Sequence, residues 1–191
     1  MLFQNLRGDK DSWGFLSKIF HWAMAVIVIF QICVGINLHY LHASIFKGEL
    51  IHYHKIIGTF ILALIFFRLF WKYLNNSPTH EKMNIFHKII SNIVHTLLYA
   101  LLVIIPIQGM ILTWLGGGDV LFLGLFKLPR LIEEDFILYE EVLSYHFMMT
   151  ILITILFFIH LSATLLHIFI YKDKYNVWRS MSFLNSKKSI H

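Results

Sequence analysis

Four long apolar runs, separated by short polar segments, dominate the pattern of the chain. They extend over about residues 19–38, 54–73, 89–115 and 142–171. A helix needs about 20 apolar residues to cross a bilayer, and lipid obliges each span to satisfy its own backbone hydrogen bonds. Membrane strands would alternate apolar and polar residues, and these runs do not alternate. The pattern therefore predicts an all-α membrane protein, a four-helix transmembrane bundle that forms one domain over residues 1–191.

The composition agrees with a membrane protein. Hydrophobic residues make up 58% of the chain and charged residues 14%, which is roughly half the charged fraction of a soluble domain. The net charge of +5 comes from residues between the apolar runs, so we expect no nucleic-acid surface. A single cysteine, Cys33, excludes an intramolecular disulfide, a thiolate iron–sulfur cluster and covalent haem attachment through a CxxCH motif. The first eighteen residues are polar and lack a small-residue cleavage site, so we expect no removable signal peptide.

Lysine and arginine are unevenly divided between the two sides that four spans create. Twelve lie on the side that holds both termini, and the other side has Lys47, Lys55, Lys127 and Arg130. Because cytoplasmic loops carry the excess of basic residues, both termini are predicted in the cytoplasm. Seven of the eleven acidic residues lie on the opposite, outer side.

Twelve histidines are the unusual feature of the chain, and imidazole in hydrocarbon is costly unless it is paired or bound. Six lie in or at the edges of the apolar runs: His21, His54, His95, His146, His160 and His167. The other six are predicted in loops or at the tail, where hydrogen bonding or snorkelling explains them. These are His39, His42, His52, His80, His87 and His191.

Helical periodicity and topology sort four of the membrane histidines into two pairs. His146 and His160 are fourteen residues apart, so they share one face of the fourth helix at a separation of about 21 Å along its axis. His21 begins the first helix on the side where His160 lies, and His54 begins the second helix on the side where His146 lies. Two bis-histidine sites result, one in each leaflet. Gly58, one turn after His54, would let a flat macrocycle approach the helix.

Haem is the cofactor that takes two axial imidazoles in an apolar slot between helices. Zinc usually takes four protein ligands, or three and a water, and the two pairs are too far apart to share one ion. The spacing therefore favours two haem groups. Structural histidines, and another metal or an ion path, remain as alternatives.

The order of these residues resembles the bacterial cytochrome b561 family, whose members are four-helix, di-haem inner-membrane proteins. The resemblance covers about residues 20–181. Its matching positions are His21-Trp22, the HKIIG sequence of residues 54–58, Arg68, His95, Tyr99, Pro106, Gly109, His146, His160, His167 and Lys172-Asp173. It implies a multi-pass protein of the bacterial inner (plasma) membrane. It also implies that His21 and His160 ligate a cytoplasmic-side haem b and that His54 and His146 ligate an outer-side haem b.

The resemblance further implies a quinone site at the cytoplasmic end of the fourth helix, for ubiquinone or menaquinone. There His167 could hydrogen-bond a quinone oxygen or pass a proton, and Lys172 could favour the anionic reduced form. The alternative for both residues is anchoring at the membrane edge. His95 is a candidate hydrogen-bond partner of a haem propionate or of the quinone. Arg68 is a candidate propionate partner, and the alternative is that it snorkels to the cytoplasmic surface.

Electron transfer is the expected chemistry, because histidine at both axial positions keeps dioxygen from the iron. One branch of the family oxidises superoxide outside the membrane and passes the electron to quinone, so a superoxide:quinone oxidoreductase is the leading specific reaction. The acidic balance of the outer side opposes the attraction of an anion. The first alternative is a membrane-anchor subunit that takes electrons from a dehydrogenase or another extracytoplasmic redox protein, which the acidic segment 133–141 would dock. The second is a non-redox membrane protein with structural histidines.

Overall fold

Four long helices make up most of the computed structural model, which describes residues 6–75, 78 and 83–183. They are α1 (Phe15–Tyr40), α2 (Ile45–Tyr73), α3 (Ile85–Leu115) and α4 (Phe136–Phe169). Each is long and apolar enough to cross a membrane, so the predicted four-helix membrane architecture is confirmed. The smaller elements are strands β1 (Leu121–Phe122) and β2 (Phe126–Lys127) and the short helix α5 (Val177–Met181).

The helices differ from the predicted apolar runs mainly at their first turns. α2 begins at Ile45 rather than His54, and the Ser44 side chain accepts a hydrogen bond from the Lys47 N–H at its start. α4 begins at Phe136 rather than at residue 142, and the Asp135 side chain caps its first turn. The helix ends at Phe169 rather than at residue 171. Side chains of this kind satisfy the free N–H groups of a helix start. A hydropathy pattern locates the continuous apolar part of a helix, and charged residues such as Lys47, Glu49 and Glu140 interrupt that pattern in these first turns.

The extra turns also change the position of several histidines predicted in loops. His39 lies in α1, His52 in α2 and His87 in α3. His42 lies in the connection between α1 and α2, as predicted. His80 and His191 lie outside the described residues, as do Lys82, Lys187 and Lys188 from the count of basic residues.

The helices pack as a closed ring, in which α1 contacts α2, α2 contacts α3, α3 contacts α4 and α4 contacts α1. Two small groups of buried apolar side chains occupy the centre: Met24 with Leu62 and Ile65, and Leu101 with Ile153 and Leu156. The outer surface carries many large apolar side chains that are exposed, among them Phe30, Phe66, Phe67, Ile155 and Phe158. An apolar exterior around a small interior is what a lipid environment requires.

The two ends of the bundle are built differently, and we name them by their residues. The proximal end holds the segment 6–14 and α5, and the distal end holds the α1–α2 connection and the segment 116–135. At the proximal end the Trp13 N–H donates to the Ser180 carbonyl, and the Trp22 indole donates to the Met181 carbonyl. Buried Asp173 accepts hydrogen bonds from the first N–H groups of α5. The beginning of α1 and the end of the described chain therefore hold each other.

The distal segment folds back over α2 as a two-stranded hairpin. β1 and β2 pair antiparallel, and the turn between them contains Leu123 (φ 56°) and Gly124 (φ 70°). The Leu123 N–H donates to the Thr59 hydroxyl at 2.9 Å, which ties the hairpin to α2. Two ion pairs brace the segment, Lys127 with Asp119 and Arg130 with Glu134, each at 2.7 Å.

Candidate functional site

The distal pair consists of His54 on α2 and His146 on α4, whose ring centres are 6.4 Å apart with an interplanar angle of 78°. Metal–imidazole bonds are about 2 Å long and the ring centre lies about 1 Å behind the nitrogen, so imidazoles on opposite sides of one metal ion have centres about 6 Å apart. The distal pair therefore has the separation that a single metal centre needs. The structure also leaves His54 Nδ1 buried without a hydrogen-bond partner among the described residues, a costly arrangement unless the ring binds something.

A mostly apolar cavity lies against the distal pair, between all four helices and below the hairpin. Its polar and small lining residues include Gln31, Lys55, Gly58, Thr59, Gly109 and Thr150. A Cβ atom at Gly58 would meet only the Gln31 Nε2 atom, at 3.7 Å. The helix surface at Gly58 is therefore open to the cavity, as a flat macrocycle requires.

Two glycines that the sequence reasoning did not connect with the distal pair press against its imidazoles. A Cβ at Gly35 of α1 would lie 3.2 Å from His54 Cε1, and a Cβ at Gly109 of α3 would lie 3.6 Å from His146 Cε1. Gly109 was noted for its spacing, but Gly35 carried no signal beyond being a glycine in an apolar run. The Gln31 amide also donates to the His54 carbonyl at 2.8 Å. Each ring is thus positioned by a neighbouring helix.

The proximal pair consists of His21 on α1 and His160 on α4, whose ring centres are 6.2 Å apart with an interplanar angle of 64°. A third imidazole, His95 on α3, is closer to His160, with ring centres 5.1 Å apart. Its Nδ1 donates to the Ser91 carbonyl at 2.7 Å. A separation of 5.1 Å is too short for opposite ligands of one metal ion, so His95 is a neighbour of His160 and His21 stands opposite it.

Two cations lie beside the proximal pair, and only the first of them is half-buried. Arg68 is half-buried, and its Nη2 atom donates to His21 Nδ1 at 2.8 Å. Its guanidinium also lies over the Tyr99 ring at 5.5 Å, and the Lys72 ammonium lies over the same ring at 4.9 Å. Arg68 therefore points into the bundle, and this corner can receive carboxylates.

Neither pair is accompanied by the ligands of an ordinary metal-ion site. Among the residues that the structure describes, no group of three or more His, Cys, Asp or Glu side chains is arranged to hold a metal ion. Two opposed imidazoles without further protein ligands suit a centre that brings its own equatorial ligands, as haem iron does. The two pairs are separated along α4 by the buried side chains of Thr150, Ile153 and Leu156.

The predicted quinone residues lie beyond the proximal pair, at the end of α4. His167 has ring contacts with Tyr171 at 5.3 Å, Tyr175 at 5.7 Å and His87 at 6.3 Å. Lys172 is exposed in the turn that follows α4, with φ 49°. Sequence reasoning missed His87 because this residue precedes the third apolar run by two positions and so was assigned to a loop.

The four distal cations differ in what holds them. Lys47 donates to the Leu41 carbonyl, while Lys127 and Arg130 form the ion pairs of the distal segment. Lys55 lines the cavity of the distal pair and also a second recess beside Gly118 and Tyr139. Within the part of the chain that the structure describes, its ammonium has no ion pair or hydrogen bond, so it is the unpaired cation of these four that lines the cavity.

The chain is similar to known proteins of one family. The family model described as prokaryotic cytochrome b561 matches residues 12–183. Cytochrome b561 homolog 2 of Escherichia coli (strain K12) is 25% identical over 170 residues, which cover 85% of this chain and 88% of that protein. The family match spans all four membrane helices.

Proposed function

Because the chain belongs to the prokaryotic cytochrome b561 family, we propose that it is a di-haem membrane cytochrome that passes electrons from an extracytoplasmic donor to membrane quinone. Family membership makes it a membrane haem b electron-transfer protein and removes the non-redox alternative. The number of haems, their ligands, the donor and the acceptor are our proposal. The observation that carries it is the presence of two imidazole pairs with nearly equal separations, 6.4 and 6.2 Å.

The distal haem would be held by His54 and His146, and the open helix surface at Gly58 would leave room for it. Gly35 and Gly109 would keep the two imidazoles in place, since a side chain at either position would meet a ring. When bound, haem would supply a one-electron iron couple. The residues around it exclude water and fix the ring orientations.

The proximal haem would be held by His21 and His160. An imidazole that binds iron through Nε2 carries its proton on Nδ1, so it can no longer accept the hydrogen bond that Arg68 donates to His21 Nδ1. A haem propionate is the acceptor that would take the guanidinium instead, because carboxylate matches its donor geometry. Lys72 would add a second positive charge there, and His95 would pack beside His160.

Superoxide is the donor that we propose for the distal side, and Lys55 supports it. An anion is drawn to a cation at the mouth of a low-dielectric cavity, and Lys55 is placed there without a partner among the described residues. Each superoxide would give one electron and leave as dioxygen. Two superoxide anions, one quinone and two protons would give two dioxygen molecules and one quinol.

At the proximal side we propose quinone reduction near His167 and Lys172, with both chain termini in the cytoplasm. The excess of basic residues on the side of the termini supports this orientation. A bacterial inner membrane is the location that follows, with a ubiquinone or menaquinone pool and lipid around the helices.

A redox protein remains a second candidate donor. The distal segment exposes the apolar side chains of Leu125 (79%) and Leu131 (72%), and Glu133 and Glu140 are also exposed. A basic, partly apolar surface would complement them.

The test is the spectrum of the purified full chain, followed by its reaction with superoxide. We expect a Soret and an α band that sharpen on dithionite reduction, a haem content of two per chain, and reduction of the oxidised protein by superoxide in stopped flow. One haem per chain would contradict the two-site proposal. Two haems without reduction by superoxide would contradict the donor, and a co-purifying protein that reduces them would favour the second candidate.

A further inference from the structure

Four aromatic rings meet at the proximal end, and the quinone site proposed above uses only one of them. This four-ring cluster consists of His87, His167, Tyr171 and Tyr175. His87 is 6.3 Å from His167 and 6.1 Å from Tyr171 between ring centres, at interplanar angles of 81° and 60°. Tyr175 closes the cluster at 5.7 Å from His167 and 5.9 Å from Tyr171. His87 Nδ1 is buried without a hydrogen-bond partner among the described residues.

The cluster lies between the proximal pair and the end of the bundle. His87 is in the first turn of α3, eight residues before His95, and His167 is in the last turn of α4, seven residues after His160. At 1.5 Å per residue, His87 is about 12 Å from His95 and His167 is about 10 Å from His160 along the helix axes. Tyr171 is 38% exposed at this end. The cluster therefore joins the neighbourhood of the proximal pair to the water at the surface.

The ring spacing determines how the two imidazoles can act. Ring centres about 5–6 Å apart are in edge contact, so a quinone headgroup does not fit between His87 and His167. It must lie beside the cluster, against one of the two. Imidazoles at this distance can exchange a proton directly or through one water.

We propose that His87 is a positioning residue that returns protons to His167 during quinone reduction. This inference rests on the proposed function, because it needs quinone to be reduced at His167. One quinone takes two electrons from the protein and two protons to become quinol. His167 would donate a proton to a quinone oxygen, regain one from His87, and donate again, while His87 is recharged from water at the proximal surface.

Among the groups that surround His87, the imidazoles of His87 and His167 are the ones that we expect to carry protons. His167 and Tyr171 contact it from the end of α4, and Tyr175 lies behind them with the Lys174 ammonium 5.8 Å from its ring centre. Lys88 is its neighbour on α3. An imidazole can both accept and donate a proton, so the effect of His87 should depend on how readily the buffer supplies protons.

The experiment is the reoxidation of the dithionite-reduced, haem-loaded full chain by a water-soluble short-chain ubiquinone, followed at the α band from about pH 5.5 to about pH 8.5. We expect His87→Gln to match the wild type at the acid end, where bulk protons are plentiful. Towards the alkaline end it should become about tenfold slower or more, the range in which general acids contribute. Free imidazole in the buffer should restore the rate, and the haem spectrum should not change.

The matched control is His52→Gln, a histidine on α2 at the distal end with a ring contact to Tyr53, which should leave the profile unchanged. His87→Asn serves as a second variant, and haem content at two per chain reports that each variant folds. Slowing of His87→Gln by the same factor at every pH, without rescue by imidazole, would show a structural role and overturn the inference. An unchanged His87→Gln profile, with a slow His167→Gln, would overturn it while leaving quinone reduction intact. A wild type that quinone does not reoxidise would overturn the proposed acceptor, and this inference with it.

Discussion

At the scale of single residues, the four proposed axial imidazoles are the first to test, because each imidazole has its own partner on another helix. His54 and His146 face each other across α2 and α4, and His21 and His160 across α1 and α4. His54→Ala or His146→Ala should therefore reduce the haem content from two to one per chain and leave the proximal spectrum in place. The measurement is haem per chain together with the reduced-minus-oxidised spectrum. Loss of both haems, in a variant that circular dichroism shows to be fully helical, would contradict separate sites.

Gly35 allows a test, also at the scale of single residues, of whether helix packing positions the His54 ring. A Cβ there would lie 3.2 Å from His54 Cε1, closer than side-chain carbons normally approach, so the ring would have to shift. Changes in the groups that position a metal ligand typically cost 10–100-fold in affinity, and we expect Gly35→Ala to weaken distal haem binding by about tenfold. Haem titration of the purified chain measures this. Gly48→Ala on α2 is the control, since a Cβ there meets nothing within 4 Å, and equal effects of the two changes would refute the packing argument.

The residues of the site differ in how far the sequence could predict them. The distal and proximal pairs followed from helix order, because α2 and α4 begin on the same side of the membrane and α1 begins on the side where α4 ends. The contact of Gly35 with His54 depends on the rotation of α1 about its axis. Because α1 carries apolar residues on every face, its hydrophobic pattern does not specify that rotation. Arg68 could face the surface or the interior for the same reason, and only packing decided it.

At the scale of elements, apolar runs located the membrane part of each helix but not its ends. Ser44 and Asp135 start α2 and α4 through side-chain hydrogen bonds to backbone N–H groups, a local signal that hydropathy ignores. The distal hairpin was not predicted either. Its strands are two residues long, and its position is set by a hydroxyl on α2 that is 64 residues away in the sequence.

That hydroxyl makes the hairpin testable. Thr59→Val keeps the shape of the side chain but leaves the Leu123 N–H without its acceptor, which costs about 1–3 kcal/mol for a buried group. We expect faster hydrogen exchange at residues 121–127, with α2 unaffected. Thr154→Val is the control, because the Thr154 hydroxyl donates to the Thr150 carbonyl within α4 and does not touch the hairpin. Unchanged exchange in Thr59→Val would mean that the strand pairing alone holds the segment.

At the scale of the whole molecule, the distribution of charge must agree with the proposed direction of electron flow. The distal side carries four basic and seven acidic residues, so its average field repels an anion. Three of its cations are also engaged: Lys47 with a carbonyl, Lys127 and Arg130 with carboxylates. A donor such as superoxide must then be drawn locally, at Lys55, whereas a basic redox protein would use the average field.

Lys55 therefore separates the two donors. Lys55→Gln should slow haem reduction by superoxide by about three- to tenfold at low salt, because a single charge at a cavity mouth raises local anion concentration. The difference should shrink as added salt shortens the Debye length to about 10 Å or less. Lys47→Gln removes the same charge at a residue whose amine is bound to the Leu41 carbonyl, away from the cavity, and should have little effect. Stopped-flow rates at several ionic strengths measure both variants. If both slow the reaction equally, only the average field matters, and if neither does, the distal mouth does not select an anion and a protein donor becomes the better proposal.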